Sequence, residues 1–205
     1  MKRLIFLLCL ILVASSAHSQ VVLLEKGQSS FFVSGGIAKA ADLNGYGFAF
    51  GFTSRGKTDV GFTANSLGIN NENYWDFGQF IQVYISQLKS DSTEVYFSII
   101  ESVQMISTSS RGRNEGVVLS VGGMLEAKGR ISPTSSTVIS MGLLWVRPGN
   151  KYVESYFVFP MQVTIAQHFE YFILSITPSL VAGQKTTTYS IGITLSIIAP
   201  KTYSR

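Results

Sequence analysis

The chain has 205 residues, with 16 basic and 12 acidic side chains and a net charge of +4. So mild a charge does not favour nucleic-acid binding, and we expect no nucleic-acid partner. Charged residues make up 14% of the chain, against roughly 25% in typical soluble domains, which indicates an unusually apolar exterior or an unusually large core.

Residues 1–19 have the layout of a secretory signal peptide. Lys2 and Arg3 form a basic start, residues 4–13 form an apolar run, and residues 17–19 fit the small-x-small cleavage pattern. The apolar run is too short to cross a bilayer, which requires roughly 20 helical residues. We therefore expect the chain to be exported and the leader to be removed.

The expected mature domain, residues 20–205, contains no cysteine, because the single one, Cys9, lies inside the leader. This excludes disulfides, thiol catalysis and cysteine-ligated metal sites from the mature chain. No cluster of other metal-ligating residues is visible, and we expect neither a metal nor a cofactor. The length is that of one domain.

Ten runs in the mature chain alternate between apolar and small or polar residues, which is the period of a β-strand. They span residues 29–39, 43–53, 59–65, 75–87, 93–107, 116–127, 136–146, 154–166, 171–182 and 187–197. The second run is the cleanest, because Tyr46, Phe48, Phe50 and Phe52 alternate with glycine or alanine. No long segment has apolar residues at helical spacing, so the pattern predicts an all-β protein.

Three features favour a membrane barrel over a soluble sandwich. Most runs are about 10 to 13 residues long, as in membrane-spanning strands, whereas strands of soluble sheets usually have about 5 or 6. The alternate face is rich in small and polar residues, which suits a narrow lumen. Connection lengths also tend to alternate. We predict a single antiparallel up-and-down transmembrane β-barrel of about ten strands, with eight strands as the alternative.

The connections and prolines add detail to this prediction. The second, fourth and eighth connections read as short turns, whereas the third (residues 66–73), fifth and seventh read as longer polar loops. The sixth connection, residues 128–135, is longer than the alternation predicts. Pro160 and Pro178 fall inside the eighth and ninth runs, where each removes a ladder donor that a β-bulge could accommodate.

Aromatic residues cluster near the ends of the runs, where amphipathic rings suit the two membrane interfaces. Ordinary strand aromatics are the alternative interpretation. The residues concerned are Tyr74, Trp75, Trp145, Tyr152, Tyr156, Phe169, Tyr171 and Phe172.

The last run carries Ser190-x-Gly192-x-x-Leu195-x-Ile197, a polar residue and a glycine followed by two apolar residues at alternate positions. This pattern resembles the C-terminal signal of the small outer-membrane β-barrel proteins of Gram-negative bacteria, which the chain resembles across its mature length. The resemblance implies a location in the cell outer membrane, contact with its lipid, and recognition by the barrel assembly machinery. The tail beyond residue 197 departs from the group, since many members end on an aromatic residue.

Candidate catalytic residues are few, and we assign none. His168, the one histidine of the mature chain, falls in a short turn on the periplasmic side, where a solvated histidine is the alternative to a catalytic base. Glu101 interrupts the apolar face of the fifth run, so we expect a bulge or an inward ion pair there. Asp59 and Glu126 lie near the ends of runs, where we expect them to be solvated.

Four basic residues fall in loops that we assign to the outside of the cell: Arg111, Arg113, Arg147 and Lys151. Guanidinium and ammonium groups in such loops are candidates for contact with lipopolysaccharide phosphates. Solvated loop charge is the alternative interpretation.

Three functions from different classes remain open. The first is a non-enzymatic outer-membrane barrel with a structural, adhesive or narrow-conduit role; about ten strands disfavour a wide pore. The second is a soluble periplasmic or secreted barrel that binds a hydrophobic ligand in an apolar interior. The third is an outer-membrane hydrolase or acyltransferase that depends on His168.

Overall fold

A computed structural model shows a closed barrel of ten antiparallel strands, in which β1 pairs with β10 and every other strand pairs with its sequence neighbours. The ten-strand prediction is confirmed, and the eight-strand alternative is wrong. The strands are β1 (Ser30–Ala40), β2 (Leu43–Ser54), β3 (Thr58–Ile69), β4 (Glu72–Lys89), β5 (Thr93–Thr108), β6 (Asn114–Ser132), β7 (Ser135–Pro148), β8 (Tyr156–His168), β9 (Phe172–Gly183) and β10 (Thr187–Ile198).

The structure describes residues 21–25, 27–40, 43–69, 72–90, 93–108, 114–149, 154–183 and 187–199. The expected leader, residues 1–19, lies outside them. None of the described residues forms a helix long and apolar enough to span a bilayer. We call the end where β1 begins and β10 finishes the terminal end, and the opposite end the far end.

The period-two alternation decides which side chains face outward. In β2, the rings of Tyr46, Phe48, Phe50 and Phe52 are exposed on the outside, whereas the small residues between them face inward. The same alternation continues around the wall, so the outer surface is an apolar band. Because every strand is paired on both sides, no sheet edge is left open, as a wall in contact with lipid requires.

The turns at the terminal end hold only two or three residues each. Two predicted connections are corrected. The third, predicted as residues 66–73, shrinks to two residues, because β3 continues to Ile69 and β4 begins at Glu72. The sixth, predicted as residues 128–135, is also a two-residue turn, because β6 continues to Ser132. The polar residues that follow these two alternating runs are thus parts of the paired strands and not of loops.

The strands accommodate Pro160 and Pro178 without β-bulges. The pairing of β8 with β7 omits residues 159 and 160 and then resumes in the same register. The pairing of β9 with β8 omits residues 177 and 178 in the same way. Each proline therefore interrupts the ladder locally, because it lacks an N–H donor, without shifting the strand. The observed register shifts lie elsewhere, in β4, β5 or β6.

Candidate functional site in the barrel interior

The N-terminal segment enters the barrel at the terminal end. Val22, Leu23 and Leu24, which we call the N-terminal plug, are only 0%, 2% and 4% exposed, and Val22 and Leu23 belong to a short 3-10 helix, Val21–Leu23. The plug packs in one cluster with inward side chains of four strands: Tyr96, Val138, Ala166 and Ile173. Burial of each plug side chain contributes about 1.5–3 kcal/mol. The terminal mouth is therefore closed by the protein's own chain.

A tight turn connects the plug to the wall. The backbone N–H of Gln28 donates to the carbonyl of Glu25 over 3.0 Å, and the Gln28 side chain accepts from the Glu25 N–H over 3.0 Å. Gly27 has a φ of 85°, in the left-handed region that favours glycine. The turn lets the chain leave the lumen and begin β1 at Ser30. The Lys128 ammonium adds a 3.4 Å hydrogen bond to the Leu23 carbonyl.

The sequence interpretation missed the plug. The signal that was available is the apolar run of residues 21–24 directly after the expected cleavage site. Its length gives no strand or helix pattern, and its burial depends on contacts with four distant strands. Local periodicity therefore cannot reveal it.

Two of the acids lie in the interior of the barrel. Asp59 and Glu126 face inward and are fully buried, so the expectation that they are solvated is wrong. The Thr53 hydroxyl donates to Asp59 over 2.6 Å, and the Ser140 hydroxyl donates to Glu126 over 3.3 Å. Glu126 is also the cross-strand neighbour of Tyr96, which contacts the plug. Hydrogen bonds from the wall thus hold these buried acids.

Aromatic rings also fill the lumen. Phe32 and Phe80 lie with ring centroids 6.3 Å apart and ring planes at 34°. Glycines make room for them: a Cβ at Gly51 would lie 2.5 Å from the Phe32 ring, and one at Gly61 would lie 2.6 Å from the Phe80 ring. The small inward residues predicted from the sequence therefore do not line an open lumen, because rings from neighbouring strands occupy the space.

The half of the interior nearer the far end is packed as well. Asn65 donates a 3.1 Å hydrogen bond to Asp76, and the hydroxyls of Ser102 and Ser120 lie 2.7 Å apart. Several large inward side chains, from both halves of the wall, are almost inaccessible to solvent: Phe32, Gln82, Met124, Leu144, Tyr156 and Ile173. Within the described residues, the interior is a packed core with polar layers.

His168 lies at the terminal end, where it was predicted, but as the last residue of β8. Its Nε2 is 2.7 Å from the hydroxyl oxygen of Ser136, a residue that the sequence interpretation did not single out. A serine–histidine pair is the arrangement that activates a nucleophile. Here, however, Ser136 faces inward and is buried, so a substrate cannot reach its hydroxyl. No group of residues that could hold a metal ion occurs in the described part of the chain.

The positions of Glu101 and Arg147 on the outer face differ from those predicted. Glu101 is exposed on the outside of β5, in phase with its apolar neighbours, so neither an inward ion pair nor a phase-shifting bulge occurs at that position. Arg147 belongs to β7 rather than to a loop, and its side chain points outward near the far end. The other three predicted lipopolysaccharide contacts, Arg111, Arg113 and Lys151, lie outside the described residues.

The aromatic residues near strand ends occupy three kinds of position. Trp75 stacks edge-on against Tyr46 near the far end, with centroids 6.0 Å apart. Phe169 and Phe172 stack at the terminal end, with centroids 4.4 Å apart. Tyr156 differs, because it turns inward and is buried, so its expected place in an interfacial girdle is wrong. Two groups of rings thus mark the two ends of the apolar band.

The residues of the predicted assembly signal lie in the strand that closes the barrel. Gly192 faces inward and pairs with Gly36 of β1, where a Cβ on Gly36 would lie 3.1 Å from the Gly192 Cα. Leu195 and Ile197 are exposed on the outer face. The close approach of β1 and β10 at these glycines requires a small residue at Gly36, which pairs with Gly192.

Comparison with known proteins gives likenesses among solved structures only. No protein-family model matches the sequence, and no curated protein matches it. The translocator domain of the autotransporter NalP from Neisseria meningitidis is 11% identical, with a TM-score of 0.48, covering 91% of this chain and 92% of that chain. An outer-membrane channel from Pseudomonas putida F1 is 9% identical, with a TM-score of 0.47, covering 86% of this chain and 97% of that one.

Neisserial surface protein A is 5% identical, with a TM-score of 0.39, and the match covers 83% of this chain and 95% of that chain. These three proteins differ in what their names describe, and similarities this low identify no activity. The closed barrel, its apolar outer band and its paired edges are nevertheless those of a transmembrane barrel of the outer-membrane type.

Proposed function

We propose that this protein is a closed, non-enzymatic barrel of the cell outer membrane, with a structural or interaction role. The observation that carries the proposal is the combination of an apolar outer face with a packed, plugged interior. A soluble carrier of a hydrophobic ligand does not fit, because its apolar face would point inward. The short turns at the terminal end support an orientation with that end in the periplasm.

The decisive experiment measures the electrical conductance of the protein in a lipid bilayer. The mature protein is purified, refolded in detergent and inserted into planar lipid bilayers, and folding is checked by a heat-dependent mobility shift on a detergent gel. We expect no stepwise conductance, because the plug and the rings of Phe32 and Phe80 fill the lumen. A stable open channel in the unmodified protein would contradict the proposal.

A narrow conduit that opens when the plug withdraws is the second candidate function. The inward acids Asp59 and Glu126 favour it, because acidic side chains along a path select cations. Leu23→Asp is expected to expel the plug, and Leu23→Met is the matched control that keeps an apolar side chain. Cation-selective currents in the first variant alone would support a conduit, whereas silence in both would exclude it.

The hydrolase alternative has a direct test. We expect purified protein to hydrolyse neither phospholipid, lipopolysaccharide acyl chains nor peptides, because the hydroxyl of Ser136 is buried at the His168 pair. His168→Ala should therefore change no turnover rate. Any turnover that this substitution abolishes, while the heat-dependent mobility shift is kept, would restore the enzyme hypothesis.

Two further proposals concern partners. Arg147 on the outer face near the far end, together with Arg111, Arg113 and Lys151, is proposed to contact lipopolysaccharide phosphates. Gly192, Leu195 and Ile197 are proposed to form the signal read by the barrel assembly machinery. Replacement of Leu195 and Ile197 by serine should slow assembly in cells much more than refolding in detergent, since only the first process depends on recognition.

A further inference from the structure

Three polar side chains lie in one row on the outer face, near the far end of the barrel. Lys39 of β1 pairs with Asn44 of β2 on one side and with Tyr189 of β10 on the other. All three residues are exposed on the outside of the wall. Directly paired residues on one face hold their Cβ atoms about 5 Å apart, so an ammonium, a carboxamide and a phenol share one small area.

The side chains of this row have no partner within the described part of the chain. No described group forms an ion pair or a side-chain hydrogen bond with Lys39, Asn44 or Tyr189, whereas Lys89 at the terminal end is paired with Glu94. An ammonium, a carboxamide and a phenol all carry hydrogen-bond donors. The row therefore offers one positive charge and several donors, which is the chemistry that a phosphate group complements.

An apolar groove begins beside the row and extends toward the middle of the wall. Its volume is about 540 Å³, and Ile37, Gly45 and Ile191 line it together with the three polar residues. Ile37 and Ile191 are a cross-strand pair, and both are exposed on the outside. A groove that is polar at one end and apolar at the other fits a molecule with the same two parts.

The wall leaves a gap one step deeper along β1. The next outward residue after Ile37 in that direction is Gly35, which pairs with Phe48 on one side and Ile193 on the other. Beyond the adjacent residues, a Cβ on Gly35 would have a single neighbour within 4 Å, the Gly47 carbonyl oxygen at 3.9 Å. No side chain of β1 therefore fills the space between the flanking apolar side chains.

We propose that this groove binds one lipid that carries a phosphate headgroup and acyl chains, from the leaflet at the far end. The phosphate accepts hydrogen bonds from Lys39, Asn44 and Tyr189, and the ammonium supplies the opposite charge. One acyl chain lies along Ile37 and continues into the gap at Gly35. Its burial there adds an apolar contribution to the charged one.

This inference rests on the membrane location and orientation proposed above, under which the phosphate-bearing lipid of that leaflet is lipopolysaccharide. The site is separate from the contact proposed at Arg147, because β7 lies four strands away from β1 around the wall. A partner protein would have to bring a carboxylate to the membrane boundary, whereas lipid phosphates already lie at that depth. A lysine that merely reaches water needs neither donors on both neighbouring strands nor the gap at Gly35.

The test counts bound lipid by native mass spectrometry of the mature protein, refolded in detergent. The probe is dioleoyl phosphatidic acid, and dioleoylglycerol, which has the same chains without the phosphate, is the comparison. We expect one phosphatidic acid per barrel and no dioleoylglycerol. Lys39→Gln should weaken the binding about tenfold, because it removes the charge that assists the hydrogen bonds. Lys57→Gln removes the same charge from an exposed turn at the terminal end and should leave the binding unchanged.

A second pair of variants tests the acyl chain. Gly35→Leu fills the gap with an apolar side chain that suits a lipid-facing strand, so the barrel should keep its heat-dependent mobility shift and bind phosphatidic acid several-fold more weakly. Gly35→Ala is the control and should bind almost as the unmodified protein does, because a methyl group leaves most of the gap open. Inorganic phosphate at the same concentration should not displace the lipid, since it has no chain to bury.

The occupant in intact outer membranes can be identified directly. Photoreactive benzoylphenylalanine in place of Tyr46, which pairs with Ile37 at the edge of the groove, should form an adduct with lipopolysaccharide. Lys39→Gln should reduce that adduct. An adduct with a protein instead, lost on Lys39→Gln, would overturn the lipid as occupant.

The outcomes separate this inference from the proposed function. A heat-shifted barrel that binds phosphatidic acid equally well with Lys39→Gln, that is weakened as much by Lys57→Gln, or that releases the lipid to inorganic phosphate would overturn the lipid site and leave the membrane barrel standing. A soluble protein without a heat-dependent mobility shift would overturn both.

Discussion

On the inward face of the barrel wall, Asp59 accepts a hydrogen bond from Thr53 and Asp76 accepts one from Asn65, whereas on the outward face Glu101 has no described partner. The inward acids lie among hydroxyls and amides that neighbouring strands present at matching heights. Glu101 lies among aliphatic side chains. Neighbouring strands thus supply hydrogen-bond donors to these inward acids, whereas no described group does so for Glu101 on the outward face.

Two phenylalanines on adjacent strands show the same contrast for packing. Phe80 points inward, is 3% exposed and contacts Phe32, whereas Phe62 points outward, is 50% exposed and stacks on Phe50 with centroids 5.5 Å apart. Protein atoms surround the first ring on every side. Lipid can adapt to the second, so the two faces should tolerate truncation very differently.

The largest expected effect is the loss of stability when the inward ring of Phe80 is truncated. Phe80→Ala should lower the free energy of unfolding by about 3–5 kcal/mol, because the cavity cannot collapse against a closed wall. Phe62→Ala is the matched outward variant and should cost less than half as much, since lipid fills the vacated space. Reversible urea unfolding in phospholipid vesicles, followed by tryptophan fluorescence, measures both, and equal losses would show that the interior is not tightly packed.

The next largest effect is expected when a charge is placed on the outward face of β10. Ile193→Arg places a charge at the middle of β10 and should cost about 2–4 kcal/mol, whereas Ile197→Arg, near the strand end, should cost about 0–1 kcal/mol. The same vesicle unfolding experiment compares the two. If both variants lost the same free energy, the apolar band would not coincide with the hydrocarbon core of the bilayer.

How far the sequence predicts this structure depends on the range of each interaction. The ten strands and the outward rings of β2 follow from alternation, which is local. The predicted solvation of Glu126 failed because the end of its strand was placed too early: β6 continues six residues past Glu126. Asp59 does lie at the start of β3, but its side chain faces the filled interior and is buried. Alternation also places Glu101 outward, and only the cost of an acid that faces lipid argued against it.

The alternation of apolar and polar residues could not reveal the plug or the Ser136–His168 pair, since both depend on contacts between distant parts of the chain. A 3-10 helix of three residues has no period to detect, and its burial is decided by four strands that follow it. The direction of Tyr156, in contrast, follows from the alternation, because Tyr156 shares the parity of Gln162 and Thr164 and not that of the outward residue Phe157.

A smaller effect tests the polar contacts of the inward face. Thr53→Val removes the hydroxyl that donates to Asp59 and should cost about 1–3 kcal/mol, because a buried acceptor loses its donor. Thr53→Ser keeps the hydroxyl and serves as the control, with a smaller loss. If valine and serine were equally tolerated, the carboxyl of Asp59 would draw its stability from its other contacts.

The smallest effect is expected where the wall meets water at the terminal end. Lys89 and Glu94 form an ion pair of 2.9 Å, but the lysine side chain is 70% exposed, so Lys89→Ala should cost no more than about 1 kcal/mol. Tyr96 also donates to Glu94, so the carboxylate keeps a partner after the substitution. The loss should shrink further in high salt, and Lys57→Ala on a neighbouring turn should show almost none. A larger loss that salt does not reduce would mean that lipid or protein shields this pair, which would extend the apolar band past the end of β4.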